Sequence, residues 1–246
     1  MPRTVPRLVS PKMRVFLAGG AGAIGRQLVP MLVGAGHHVF GTTRDVARAE
    51  WLHSAGAEPV VLDALDADAV RNAIAAAQPQ AVIHQLTDLA AGFAPEQLRA
   101  TARLREVGTR NLVEAMALAG AHRLIAQSGA WLYADGPLPH GERDPMREQG
   151  PDDPVIGGIA ELERLTLATP GIDGLVMRYG FLYGPGTAYA GPSGTPPPRV
   201  HVAAAARAAM LALDRGSPGA YNVVDDDPAV SNARARAELN WTPESR

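Results

Sequence analysis

The stretch Val15-Phe16-Leu17-Ala18-Gly19-Gly20-Ala21-Gly22-Ala23-Ile24-Gly25 constrains this chain more than any other. The apolar run from Met13 to Ala18 has the length and make-up of a buried parallel strand. Ile24, Leu28, Met31, Leu32 and Ala35 then recur at helical spacing, so strand must turn into helix across glycines 19, 22 and 25. Such a junction suits a pyrophosphate. Gly19 permits the tight turn, Gly22 lets backbone N–H groups approach, Gly25 lets helix and strand pack closely, and the helix start offers the positive end of its dipole. Ala23 and Ile24 complete the candidate cradle. A glycine triple alone can be a loop that needs positive φ; placed between a strand and a helix, it reads as a dinucleotide site.

Composition bounds the rest. With 246 residues, 46% of them hydrophobic, the chain can bury one α/β core, and a second independent domain is not expected. A net charge of −2 makes no electrostatic case for nucleic acid or a membrane surface. No apolar run has membrane-spanning length. The absence of cysteine excludes a disulfide framework and thiolate chemistry. Residues 1–12 carry three prolines and basic residues without an apolar signal-peptide core, and are expected to be a disordered lead-in to one domain over 13–246. The composition fits a cytoplasmic protein, and its bias towards Arg, Ala, Gly and Pro fits a bacterial genome. Lys12 is the only lysine.

Further strands are read at His37–Thr43, Glu58–Leu62, Gln80–His84, His122–Gln127, Leu175–Tyr179 and Ala220–Val224. They alternate with helical patterns at 66–77, Glu96–Ala119, Pro154–Ala168 and Ala203–Leu213. This alternation predicts a doubly wound α/β fold with a parallel sheet. Where NAD-specific folds end the second strand in an acid, this chain has Thr42-Thr43-Arg44. A guanidinium there suits a 2′-phosphate and a carboxylate such as Asp45, one place later, would repel it; the alternative is a solvated surface arginine opening the next helix, and NADP(H) is favoured over NAD(H), with Thr43 and Arg44 as contacts. Asp225-Asp226-Asp227-Pro228 reads as a solvated turn rather than a metal site, because no further ligands follow at metal spacing. A histidine alone in an apolar strand, such as His84, is more often a satisfied core residue than a ligand.

The G-x-x-G-x-x-G spacing after Leu17-Ala18 resembles the extended short-chain dehydrogenase/reductase family, of the NAD-dependent epimerase/dehydratase type. The resemblance extends through three further stretches. Val107 to Leu112 is similar to the family's N-V-x-G-T-x-N-L helix with the first asparagine missing. Arg178 to Gly186 is similar to its R-x-G-x-x-Y-G-P-G loop, and Ser231 to Pro243 to its C-terminal stretch. The resemblance implies a Rossmann-like sheet and an NAD(P)-dependent oxidoreductase or epimerase acting on a small carbonyl, hydroxyl or sugar-like substrate. It implies that Asp63 and Ala64 meet the adenine, that Gln85, Leu86 and Tyr179 lie along the cofactor, and that His84, Tyr183 and His201 face the substrate. A small lobe from about 181–200 and 225–246 is implied to be shortened, since the segments near 186–200 and 228–231 are brief; either the lobe is reduced or loops are missing from the sequence. A homodimer through the two long helices is expected on the same ground.

One departure stands out. The family's chemistry uses a Ser or Thr, a Tyr, and a Lys four residues after that Tyr. The resemblance places Gly129 at the first position and, in the register through Glu163, Val155 and Ile159 at the other two; the register through Glu161 gives Asp153 and Gly157 instead, and with Lys12 the sole lysine no Tyr-x-x-x-Lys exists. Ser128 and Tyr133 are the substitute candidates, with Tyr179, Tyr183, His140 and His201 as further proton carriers. Three readings stay open: hydride transfer with non-standard acid–base groups, a non-redox isomerase, lyase or cyclase, and a dinucleotide-sensing regulator.

Overall fold

The computed structural model describes residues 12–89, 92–148, 150 and 153–244. Apart from Lys12, the expected lead-in lies outside the described residues. The chain runs β1 (Arg14–Ala18), α1 (Ala23–Gly34), β2 (His38–Thr43), α2 (Val46–Ser54), β3 (Glu58–Val61), α3 (Ala67–Ala77), β4 (Ala81–His84), α4 (Pro95–Arg103) and α5 (Thr109–Ala119). It continues with β5 (Arg123–Gly129), α6 (Pro154–Ala168), β6 (Asp173–Tyr179), β7 (Phe181–Tyr183), β8 (Arg199–His201), α7 (Val202–Leu211), β9 (Gly219–Val223) and α8 (Ala233–Leu239).

Seven parallel strands form one sheet in the order β3-β2-β1-β4-β5-β6-β9, the doubly wound arrangement that the alternation predicted. Successive side chains of β1 go to opposite faces. Val15 and Leu17 join the core under α1 and α7, and Phe16 and Ala18 the core under α3 and α5. Alanines 204–206, 208 and 209 let α7 pack closely on α1. The buried Trp241 locks the C-terminal stretch to that helix, its indole N–H donating to the Ala204 carbonyl at 2.8 Å. The short β7 and β8 form a separate parallel pair beside the sheet.

The helix expected over Glu96–Ala119 is not uniform. A π-helical turn at Leu104–Gly108 separates α4 from α5 and buries Leu104, Arg105 and Gly108. The Thr109 hydroxyl donates to the Arg105 carbonyl at 2.5 Å, supporting the widened turn. Asp66 caps α3 through the amides of Asp68 and Ala69, the role its position suggested.

Candidate functional site

The glycine turn opens a cleft at the C-terminal ends of β1, β2 and β4, where the strand order reverses. Gly19 adopts φ +88, and a Cβ on Gly25 would lie 2.3 Å from the Gly20 carbonyl oxygen. Strand β2 clamps the turn: the Gly19 amide donates to the Thr42 hydroxyl and the Gly20 amide to the Thr42 carbonyl, both at 3.0 Å. Helix α1 starts with no side-chain cap and no acid in its first turn, so its leading N–H groups are left for an anion. The cradle fits a dinucleotide pyrophosphate.

The cleft encloses about 780 Å³, counting its open mouth. Gly19, Gly22, Ala23, Ile24, Thr43, Arg44, Ala64, Gln85 and Leu86 of the sequence-predicted set all line it. Leu62, Gln127 and Leu182 add walls that the sequence reading did not single out. At the β2 end Arg44 is joined by Arg48, one helical turn on. Asp45, an acid that would oppose a phosphate there, caps α2 through the Ala47 amide and pairs with Arg48 itself at 3.3 Å. Arg44 itself reaches Asp88 at 2.7 Å. Asp63 sits between Leu62 and Ala64 but is exposed, with its carboxylate accepting from the Leu65 amide.

Deeper in, the buried Tyr179 hydroxyl and Gln85 carboxamide lie against each other, and none of their polar atoms makes a well-formed hydrogen bond. Burial pushes the Tyr179 phenol well above its ordinary pKa. Orphaned polar atoms beside a dinucleotide cradle are what a bound cofactor would satisfy.

Ser128 and Tyr133 meet a different fate from the one expected of them. Ser128 donates to Glu163 at 2.6 Å, and Tyr133 donates to the Asn222 side chain at 2.6 Å. Arg178 bridges the two, gripping Glu163 with Nε at 3.0 Å and Nη2 at 2.7 Å while Nη1 donates to the Tyr133 oxygen at 3.0 Å. All five residues are buried. Burial raises the Tyr133 pKa, so the phenol stays protonated. Both hydroxyls therefore stabilise an internal polar network instead of lining the cleft. Periodicity does not show that Arg178 and Glu163 would claim them.

His84, also a candidate for the substrate pocket, is fully buried, as expected of a histidine alone in an apolar strand. Since Thr109 donates its proton to Arg105, the His84 Nε2–H donates to Thr109 at 2.9 Å, while Nδ1 accepts from the Leu86 amide at 3.2 Å. Burial, and then the nearby Arg105, push its pKa down to about 3. It is a neutral core histidine that fixes the cleft-lining Leu86. Tyr183 and His201 do come together, in edge-to-face contact at 5.2 Å, with the Tyr183 hydroxyl donating to Asp225 at 2.9 Å. Asp226 pairs with Arg236, and among the described residues no cluster of acids and histidines could hold a metal. His140 stacks on Tyr133 at 5.0 Å.

Arg105 was also missed. By the spacing of the helix motif it stands where the first asparagine would, and only that count points to it. It is 6% exposed, and its Nε has no partner.

The model of the NAD-dependent epimerase/dehydratase family matches residues 15–219. The chain is 42% identical to a 3-diazoavenalumate denitrifying reductase from a Streptomyces species, over 88% of this chain and 77% of that protein. It is 33% identical to a UDP-glucose 4-epimerase from Mycolicibacterium smegmatis, over 56% of this chain and 46% of that protein. Among solved structures, the UDP-glucose 4-epimerase of Thermus thermophilus in complex with NAD superposes with a TM-score of 0.77 at 21% identity, covering 94% of each chain. No helix among the described residues is long and apolar enough to cross a membrane.

Proposed function

The chain belongs to the NAD-dependent epimerase/dehydratase family, and from that premise we propose that it is an NADP(H)-dependent reductase of a small diazonium compound. One observation carries the reading. In the register through Glu163, Val155 and Ile159 stand at the family's tyrosine and lysine positions and pack with Leu132 and Ile156 in an apolar cluster; in the register through Glu161 the positions fall on Asp153, whose carboxylate caps α6, and Gly157. Reduction of a carbonyl leaves an alkoxide that needs a proton, and this arrangement supplies no donor there. The reductase with which the chain shares 42% identity is named for removing nitrogen from a diazo acid. A bound nicotinamide would supply a hydride, and a hydride added to a diazonium cation balances without a proton: the C–N bond breaks with both electrons, N2 leaves, and a neutral C–H product remains.

The chain's own groups suit that substrate. A lysine ammonium would repel a diazonium cation, and amines and thiolates couple with it. The chain has no cysteine, and its lone Lys12 lies against Gly36, before β1 and away from the cleft at that strand's other end. Burial keeps the Tyr179 phenol protonated and so weakly nucleophilic. The pyrophosphate would be held by the start of α1, and Arg44 with Arg48 favours a 2′-phosphate, although the Thermus thermophilus neighbour carries NAD.

The test has two parts. NADPH oxidation is followed with a benzenediazonium salt and with a panel of aldehydes, ketones and UDP-glucose. One N2 and one C–H product per NADPH, above the uncatalysed rate, is the expected result; turnover of the carbonyls or UDP-glucose without the diazonium overturns it. Fluorescence titration should then show NADPH bound more tightly than NADH, with the preference reduced at least about tenfold in an Arg44→Ala/Arg48→Ala variant. Equal affinities in the unaltered protein refute the NADP(H) reading.

A further inference from the structure

We infer that the π-helical turn at Leu104–Gly108 is an anion subsite, in which the buried Arg105 guanidinium receives a carboxylate of the substrate. Arg105 is 6% exposed, its Nε has no partner, and its side chain makes no hydrogen bond or ion pair with another described residue. The fold treats its other inward arginines differently. Arg178 is matched by Glu163 and Tyr133, and Arg123 by the carbonyls of Ala212, Arg215 and Gly216. A buried guanidinium without a counter-charge is among the least favourable groups a core can hold. Burial lowers its pKa only to about 10, so it remains cationic at neutral pH. The neighbouring His84 is neutral and offers no compensation.

The turn also walls the cleft. Leu104 lines it, and a Cβ on Gly108 would lie 3.8 Å from Ala64 and from Leu86, which line it too. A π-turn adds a residue to the helix and re-aims the side chains it carries, a device that recurs at binding sites. No described residue supplies the anion, and a ligand would. A cofactor phosphate and a substrate carboxylate both offer the chemistry. The cofactor's phosphates, however, already have places at the α1 start and beside Arg44 and Arg48, which leaves the carboxylate. Its two oxygens match the planar guanidinium fork. The inference rests on the proposed reductase reading for the identity of the substrate, and the related reductase is named for an acid, 3-diazoavenalumate.

The test uses the full chain loaded with NADP+ and two non-reacting probes, cinnamate and the uncharged cinnamamide, titrated by calorimetry. Cinnamate is expected to bind at least about 30-fold more tightly than cinnamamide. Arg105→Gln should erase that preference while leaving cinnamamide and NADPH affinities within about twofold, and should raise the Tm because an unpaired buried charge is removed. No preference for cinnamate in the unaltered protein, including no binding at all, overturns the inference and needs no variant to fold. An equal loss of NADPH affinity in Arg105→Gln also overturns it, assigning the anion to the cofactor. A lower Tm with the cinnamate preference intact makes Arg105 structural. Because the readout is binding, a protein that fails to reduce diazonium salts still decides this question.

Discussion

Removing the Glu163 carboxylate is the perturbation whose cost follows most directly from geometry. The Arg178–Glu163 pair has side-chain exposures of 7% and 10%, and two hydrogen bonds of 3.0 and 2.7 Å join it. Glu163 also accepts from Ser128 at 2.6 Å. In Glu163→Ala, Arg178 keeps only the Tyr133 oxygen and the Glu142 carbonyl, and the Ser128 hydroxyl loses its acceptor. Summing the three lost bonds would count the same desolvation repeatedly. The governing quantity is the uncompensated buried charge, worth about 3–5 kcal/mol. For a domain of this size that lowers the Tm by roughly 10 °C. Replacing both partners, as Glu163→Leu/Arg178→Met, should recover most of the loss, because an apolar pair needs no solvation. Urea titration followed by tryptophan fluorescence measures both variants. NADPH affinity should hold, since neither residue lines the cleft. A single-variant cost under about 1 kcal/mol, or a double variant no more stable than the single, refutes the reasoning.

Three other outcomes follow from the geometry. Gly25→Ala places a methyl 2.3 Å from a backbone oxygen and should abolish NADPH binding; retained tight binding would mean that the turn yields easily. Tyr133→Phe deprives Asn222 and Arg178 of a partner and should cost about 1–3 kcal/mol in urea while leaving kcat unchanged, whereas a collapse of kcat would return Tyr133 to the reaction. His84 has a folded-state pKa of about 3 against 6.5 in the unfolded chain, so below pH 6.5 the unfolded chain takes up a proton that the folded one refuses. Stability should therefore fall as pH drops from 6.5 towards 3, by about 1.4 kcal/mol per unit at most, with no contribution from His84 above 6.5. Urea midpoints of His84→Asn should lack that slope relative to the unaltered protein, and parallel curves would show that His84 charges freely.

Much of the site was legible from local pattern. The glycine turn, the strand ends and the Thr43-Arg44 corner lie within a few residues of one another in sequence, and their geometry follows from strand-to-helix connection alone. Helix α6 begins and ends where its pattern placed it, at Pro154 and Ala168, because its Asp153 cap and apolar stripe are local features. The helix over Glu96–Ala119 was read without its π-turn, since the apolar spacing of Leu104, Val107 and Leu112 tolerates one extra residue. Ser128 and Tyr133 looked available for chemistry because their partners Glu163, Arg178 and Asn222 lie 35 to 89 residues away.

The order of elements, the dinucleotide turn and the absence of a Tyr-x-x-x-Lys pair were written in the amino-acid sequence, because each depends on residues close together or on residues that do not exist. Tertiary structure alone assigned the polar groups their partners. It turned two candidate hydroxyls inward onto an ion pair, held His84 neutral between Thr109 and the Leu86 amide, and left Arg105 buried without a counter-charge among the described residues. The physical reason is that a polar side chain's role is set by the groups it meets after burial, and those come from distant parts of the chain.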